Sequence, residues 1–331
     1  MRFLNKTTAG TALFVLGCFS LALAPMMRFY LADRLMVVPD DRYARSTLVG
    51  SGAKYLDVGK MKVVENANVV ATSTLRGAPG PSTSTVAIWD TFSVVEDATT
   101  GADLDLREWR MAIDRKSSQL RNCCGAAINR NTSVKQSGLG LIWPIGNVER
   151  RSYPLFDPAT GRTWPARFEG TRKVEGITAY TFVQRIDPTP VGQVRQLPGT
   201  LLGLPAGKAY DVDRVYRATV TTWVDPRTGA PVDRQQQAVS TLRTKDGVDR
   251  LTIADITLRM DDRTRREAAA TSDDSAGDIA LIRTTGPLIA LAVGVVALVA
   301  AVLLSVRPGR RRGQHHQQGS SDAPAPAVPG K

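Results

Sequence analysis

Two uncharged segments, one near each end of the chain, constrain most strongly what this sequence can fold into. The second covers residues 287–306 and contains no charged side chain over its 20 residues. At a rise of about 1.5 Å per residue, a helix of that length crosses the hydrocarbon layer of a bilayer. Four arginines follow it, Arg307, Arg310, Arg311 and Arg312, and the positive-inside rule therefore predicts a membrane helix with a cytoplasmic C-terminus.

The first segment, residues 11–27, is also uncharged and follows the basic residues Arg2 and Lys6, as a signal sequence or a signal-anchor helix does. Ala22-Leu23-Ala24 offers the small-x-small pattern of a cleavage site, but Pro25 stands directly after it. Because proline restricts the backbone on both sides of the bond to be cut, we expect no cleavage and a retained anchor. A buried helix of a soluble protein is the alternative, although such helices seldom lack charge over this length.

These segments predict a two-pass protein of the plasma membrane, with both termini in the cytoplasm and the main domain outside. The final residues are rich in Pro, Ala, Gln and Ser, a composition that predicts disorder. The predicted parts are a cytoplasmic N-terminus (1–10), a signal-anchor helix (11–32), an extracytoplasmic β-rich domain (33–260), a charged, solvated helical stalk (261–285), a second membrane helix (287–306) and a disordered basic cytoplasmic tail (307–331).

The formal charge of +12 is no sign of nucleic-acid binding. More than half of it comes from residues that flank the two uncharged segments, where membrane topology alone requires positive charge. No stripe of Lys and Arg with interleaved aromatic residues occurs in the sequence. The membrane is therefore the first expected partner, and nucleic acid is not expected.

Turn chemistry and alternation predict an antiparallel, mainly β domain between the helices. The clearest part is residues 210–260, where the turns Asp225-Pro226-Arg227-Thr228-Gly229 and Asp246-Gly247 separate three strand-like runs. A hairpin around Glu175-Gly176 is a further candidate. The predicted fold class is therefore mainly β, an antiparallel meander or barrel-like outer domain, with one transmembrane α-helix at each end. Additional strands are predicted at residues 60–75, 85–95 and 106–114.

Histidine occurs only at His315 and His316, in the tail, so the predicted outer domain contains no imidazole. This removes a Ser-His-Asp or Cys-His nucleophile and the usual ligand of catalytic zinc. A glycosidase-like pair of carboxylates stays open by composition, but the acidic residues are equally explained as strand ends and loops. We therefore predict no enzyme, no catalytic or metal residue and no cofactor. The carboxylates considered are Asp90, Glu96, Asp97, Asp103 and Asp105.

Two adjacent cysteines, Cys123 and Cys124, lie in the predicted outer domain, where free thiols tend to oxidise. A vicinal disulfide that stiffens a tight turn is the leading interpretation. Ordinary disulfide geometry needs a larger Cα separation, so two reduced buried thiols or a disulfide between chains stay open. Two ligands alone fall short of a structural metal site.

An apolar stretch bounded by proline, residues 197–205, is too short to span a bilayer. One interpretation is a loop that packs its leucines into the core. The sharper one is an exposed apolar lip that contacts lipid or a partner protein. The candidate residues of this lip are Leu197, Leu201, Leu202 and Leu204.

Taken together, these features resemble the actinobacterial porin PorA family, an envelope family of otherwise unknown function. The resemblance covers nearly the whole chain and implies two transmembrane helices around a β-rich outer domain, without catalytic residues to transfer. It rests on Leu23-Ala24-Pro25, Arg28-Phe29-Tyr30, Trp89-Asp90, Asn122-Cys123-Cys124-Gly125, Tyr153-Pro154, Phe156-Asp157-Pro158, residues 161–165, Leu201-Leu202-Gly203-Leu204-Pro205, residues 223–229 and the closing helix.

The layout is also similar to that of the class B scavenger receptors, which carry lipid through a tunnel in a β-rich outer domain. The expected function is thus a non-enzymatic envelope protein that binds or conducts an apolar envelope lipid, or that scaffolds envelope machinery. The alternatives are an oligomeric, porin-like channel, in which Gly294 permits close contact and self-association of the helices, and a carboxylate-based glycan hydrolase.

Overall fold

The computed structural model describes residues 6–305, and these divide into two compact units. One unit contains residues up to Ala24 together with those from Ile289 onward, and the other contains Pro25–Leu288. The predictions made for residues 1–5 and for the basic tail from 307 lie outside the described residues.

Helices occupy both ends of the described chain. Two continuous helical stretches, Thr8–Leu35 and Asp262–Ser305, are long and apolar enough to cross a membrane, by length and composition. Each stretch includes one π-helical segment, Met26–Leu31 in the first and Leu281–Thr285 in the second. The α-helices are α1 Lys6–Pro25, α2 Ala32–Leu35, α3 Asp262–Ala280 and α4 Gly286–Ser305.

Helices α1 and α4 approach each other closely at two glycines. A Cβ atom on Gly17 would lie 2.7 Å from the Leu298 side chain, and one on Gly294 would lie 2.9 Å from Leu21. The absence of side chains at these positions lets the two backbones come together. Gly294 therefore serves a helix contact, as expected for a small residue, but its partner is α1 of the same chain.

Twelve strands form one antiparallel sheet that curves into a half-barrel, which confirms the predicted fold class. The strands are β1 Tyr43–Asp57, β2 Lys62–Gly77, β3 Val86–Asp97, β4 Asp103–Asp114, β5 Leu120–Arg121, β6 Ala127–Ile128, β7 Tyr153–Asp157, β8 Arg162–Val174, β9 Ile177–Pro198, β10 Ala209–Val224, β11 Pro231–Arg243 and β12 Asp249–Met260.

The order of the strands is a meander that turns back on itself. It runs β5-β4-β3-β2-β1-β12-β11-β10-β9-β8-β7, with β6 beside β4, so the first and last long strands, β1 and β12, are neighbours in the sheet. The two turns predicted at Asp225-Pro226 and Asp246-Gly247 connect β10, β11 and β12, as the sequence indicated.

A short extended segment joins the two outer edges of the sheet. The Leu120 amide donates to the Gly138 carbonyl at 2.8 Å, and the Leu139 amide donates to the Pro154 carbonyl at 2.7 Å. Next to this junction the rings of Trp109 and Phe156 lie 5.8 Å apart, centroid to centroid. They belong to one buried cluster, which packs strands from both edges together. The sheet edges are therefore covered rather than left open to solvent.

Candidate functional site

Alternation along the strands decides which side chains line the inner, concave face of the half-barrel. Ser73 pairs with Ser93, and Ser93 pairs with Arg107, so these three residues lie side by side across β2, β3 and β4. The Ser93 hydroxyl donates to the Ser73 hydroxyl at 2.9 Å. Because side chains in a strand alternate between faces, the even-numbered residues of β10 and β11 share this inner face.

On the β10–β11 half of that face, three polar side chains form a hydrogen-bonded row. Arg234 Nη2 donates to Gln236 Oε1 at 3.1 Å, and Gln236 Nε2 donates to the Tyr216 hydroxyl at 3.3 Å. The Tyr216 side chain is buried, whereas Arg234 and Gln236 are half-buried. This row lies against apolar neighbours on the same strands, among them Ala218 and Val220.

Arg234 is short of hydrogen-bond acceptors. Its Nε atom is shielded from water and has no partner among the described residues. Burial lowers the pKa of Arg234 below its ordinary value, and the nearby charge of Asp157 offsets only part of this effect. A guanidinium stays protonated despite such a shift, so the site carries a positive charge that is poorly solvated.

Further charged residues, on strands β4 and β7, act on Arg234 and Tyr216. The charge of Arg107, on β4, lowers the pKa of both Tyr216 and Arg234, although β4 and β10 are far apart in strand order, which fits a curved sheet. Its guanidinium is bound to Asp105 at 2.9 Å. Asp157, also within electrostatic range, is buried and accepts from the amide and the hydroxyl of Thr160 at 2.7 and 2.8 Å.

The side-chain hydroxyl of Tyr216 stays protonated. Burial raises the pKa of Tyr216 well above 10.0, and the charge of Asp157 raises it further. The hydroxyl accepts from Gln236, and no acceptor for its own proton is found in residues 6–305. Arg234 Nε and the Tyr216 hydroxyl are thus donors without acceptors among the described residues, and we call Arg107, Tyr216, Arg234 and Gln236 the inner-face cluster.

Cys123 and Cys124 lie on the other side of the sheet from this cluster. Their sulfur atoms are in disulfide contact, and the pair is exposed in a turn where Cys124 and Gly125 have φ angles of 59° and 78°. The turn borders an outer cleft of about 550 Å³, whose lining includes the ion pair of Asp90 and Arg110. The vicinal disulfide itself stays a prediction for chemical test.

The four leucines of the predicted lip are not all at the surface. Leu197 and Leu202 are buried in a cluster with Val212 and Leu242, and Leu201 and Leu204 are half-buried against it. Leu197 and Leu202 therefore belong to a local core and not to an exposed lip, because the turn at Gly199–Leu202 folds them under β10 and β11. A lipid contact through Leu201 and Leu204 stays a prediction.

The carboxylates considered for glycan hydrolysis are engaged in local contacts. Asp90 binds Arg110 through two bonds of 2.7 Å, and Asp105 binds Arg107. Asp97 is buried, and the hydrogen bond from Tyr55 at 2.8 Å is the first cause that lowers its pKa. A general acid needs the opposite shift. Glu96 and Asp103 face each other at the strand ends that flank the β3–β4 turn.

Helix α3 is fastened to the sheet by a buried aspartate that the sequence analysis did not single out. Asp225 is fully buried and accepts from Arg227 at 2.8 Å and from the Ser272 hydroxyl at 2.9 Å. Ser272 also shares a hydrogen bond of 2.7 Å with Thr228. The predicted charged stalk is thus helical over 262–280, and one face of it packs on the turn that follows β10. The small residues on that face of α3 are the sequence signal that could have indicated this contact.

The inner-face cluster was also missed, since an arginine on a strand is usually solvated. The one available signal was the alternation of side chains along the strand. Arg234 lies two residues after Val232, so both side chains are on the same face as the apolar even-numbered residues of β10. Sequence alone does not show that this face is concave.

A family model described as Porin PorA matches residues 9–303 of the chain. No curated protein matches it.

Proposed function

Since the chain belongs to the porin PorA family, we propose that it is a non-enzymatic membrane protein of the cell envelope whose outer domain receives a small polar solute on the inner face of the half-barrel. The family and the two apolar helices support a membrane protein. The observation that carries the solute proposal is the inner-face cluster, a set of arginine and tyrosine donors inside the curved sheet.

An apolar envelope lipid suits this face less well. A lipid chain beside Arg234 would replace water without supplying an acceptor, and burying a charge that way costs several kcal/mol, about 3 or more. Ser73, Ser93 and Gln236 bond to neighbouring side chains and add polar surface that a lipid chain would cover without forming hydrogen bonds. The tunnel expected for lipid carriage by architectural likeness would have to be apolar, and this face is not.

The outer domain, and not the helix pair, is the better place for solute contact. The described parts of α1 and α4 that pack together, 8–24 and 289–305, contain no charged residue. Their small residues Gly17 and Gly294 are used in contact with each other's helix. The convex face of the sheet carries Arg110, Arg185 and Glu169 in ion pairs, so lipid does not surround the sheet.

The test is to identify what the full-length protein carries. Protein purified in detergent is examined by native mass spectrometry, and any bound mass is extracted separately into water and into organic solvent. We expect a polar solute in the aqueous fraction, or binding when an aqueous envelope extract is added. A stoichiometric lipid in the organic fraction, or a protein that stays empty with both extracts, would contradict the proposal.

A pair of matched variants locates the binding face. Ser73→Leu places an apolar side chain on the inner face, whereas Thr74→Leu places the same side chain on the outer face one residue later. We expect Ser73→Leu to weaken solute binding at least severalfold and Thr74→Leu to leave it unchanged. Equal effects of the two substitutions would place the solute elsewhere.

A further inference from the structure

Donors outnumber acceptors around Arg234 in a way that points to one class of ligand. Among residues 6–305, its guanidinium has one hydrogen-bond acceptor, the neutral amide oxygen of Gln236, at 3.1 Å. Its buried Nε has no partner, and the guanidinium forms no ion pair within residues 6–305. Buried polar groups in folded proteins are nearly always hydrogen-bonded, so this arginine is incomplete as it stands.

The acidic groups on the same face do not complete it. Asp105 is bound to Arg107 at 2.9 Å, and Asp157 has its Oδ1 atom bonded to Thr160. Asp157 is near enough to act on Arg234 electrostatically but makes no ion pair with it. The carboxylates thus balance part of the charge, while the free N–H and O–H groups still lack acceptors.

Resting on the proposed function, we propose that the solute is an oxyanion, a molecule bearing a phosphate or carboxylate group, which accepts hydrogen bonds from the half-buried guanidinium of Arg234 and from the Tyr216 hydroxyl, with Arg107 adding positive charge to the site. Guanidinium groups form strong, directional bonds to both kinds of anion. The Tyr216 hydroxyl is protonated at neutral pH and has no acceptor in the part of the chain that the structure describes, so it is the second donor.

A second arginine supports the same chemistry along β10. The Nε atom of Arg214 is also buried without a partner among the described residues, and Arg214 precedes Tyr216 by two residues, on the same face. Arg214 is opposite Leu242 and Arg234 is opposite Thr222, so the two arginines stand at separate points along the same face, and both add the positive charge that attracts anions.

The experiment measures binding of inorganic phosphate to the full-length protein in detergent by isothermal titration calorimetry. Sulfate, chloride and glycerol are compared at equal ionic strength. We expect saturable binding of phosphate and sulfate and none of chloride or glycerol. Arg234→Gln should lower phosphate affinity about tenfold or more, Arg234→Lys less, and Tyr216→Phe severalfold, because each removes part of the donor set. Arg217→Gln is the control, because Arg217 lies on the outer face of β10, the strand that carries Tyr216. This variant should bind phosphate as the wild type does.

Several results would overturn the inference. One is phosphate binding no tighter than chloride binding, and another is an Arg234→Gln variant with wild-type affinity. If Arg234→Gln does not fold, Tyr216→Phe, which keeps the buried ring, decides in its place, and unchanged affinity there has the same meaning. Binding of glycerol or another neutral polyol without binding of phosphate also overturns it, but leaves the proposed polar-solute function standing.

Discussion

At the scale of single residues, two buried charged groups behave in opposite ways. Asp225 is fully buried, and Arg227 and Ser272 occupy its oxygens, so its burial is compensated. Arg234 is buried at Nε and uncompensated. Burial of a charge costs free energy unless it is paired and hydrogen-bonded. We therefore interpret Asp225 as a structural residue, and Arg234 as a residue that binds the proposed ligand.

Substitution of Asp225 tests the structural half of this contrast. Asp225→Ala leaves Ser272 and part of Arg227 without their buried partner, and we expect a loss of about 3 kcal/mol in the free energy of unfolding. Asp273→Ala is the matched control, because Asp273 binds the same arginine at 2.9 Å but is 68% exposed. It should cost less than about 1 kcal/mol. Urea unfolding of the detergent-solubilised chain, followed by tryptophan fluorescence, measures both, and equal losses would contradict the assignment.

The two adjacent cysteines allow a direct chemical test. We expect a thiol reagent to modify only Cys18 in the unreduced, denatured protein, and Cys123 and Cys124 in addition after reduction by a dithiol. Intact mass counts the added groups. A dimer on a non-reducing gel that disappears on reduction would instead indicate a disulfide between chains, and three modified cysteines without reduction would indicate free thiols.

At the scale of elements, two prolines coincide with the two π-helical segments. Pro25 directly precedes the segment Met26–Leu31, and Pro287 follows the segment Leu281–Thr285 by one residue. Proline lacks the N–H that would bond the carbonyl four residues back, which is Arg283 in the case of Pro287. Arg28 Nη1 donates to that carbonyl at 2.6 Å. The two helical stretches are thus joined where proline has freed a backbone acceptor.

Close packing of α1 on α4 is a property of the glycines, and it is tested by filling the space. Gly17→Leu adds a side chain whose Cβ would meet Leu298 at 2.7 Å, so the helices must separate. Gly277→Leu adds the same side chain where nothing lies within 4 Å. We expect Gly17→Leu to lower the melting temperature in detergent, and Gly277→Leu to leave it unchanged or to raise it, since leucine favours helix over glycine. A decrease of equal size in both variants would contradict the close contact.

At the scale of the whole molecule, the meander determines where the helices leave the sheet. The strands β1 and β12 pair directly, from Leu48 with Met260 to Tyr55 with Ala254, and β1 follows α2 while β12 precedes α3. The chain therefore enters and leaves the sheet on neighbouring strands.

The two-pass topology is a prediction of the sequence and is tested with epitope tags. One tag is inserted at Gly80, in an exposed turn before β3 with open space around it, and a second follows Lys331. We expect antibody to stain the Gly80 tag on intact spheroplasts and the C-terminal tag only after permeabilisation. Staining of the C-terminal tag on intact spheroplasts would contradict a cytoplasmic C-terminus.

Much of the architecture followed from local patterns. The turn Asp225-Pro226-Arg227-Thr228-Gly229 gave β10 and β11, because proline presets one turn residue and glycine tolerates a positive φ, here 74° at Gly229. Strand β9 was less predictable past Ile186. Pro188, Pro190 and Gly192 interrupt its pattern, and the strand accommodates them through shifts in its register with β10. The cost of these residues is local, so pairing with the neighbouring strands overcomes it.

The sequence by itself determined the two apolar helices, the antiparallel β class and the family, because each depends on composition, spacing or turn chemistry within a short stretch of chain. Only the tertiary structure decided that Arg234, Gln236 and Tyr216 form one hydrogen-bonded row, that Leu197 and Leu202 are buried, and that α3 is held by Asp225. These contacts join residues far apart in the chain, and their free energies depend on curvature and burial, which no local pattern encodes.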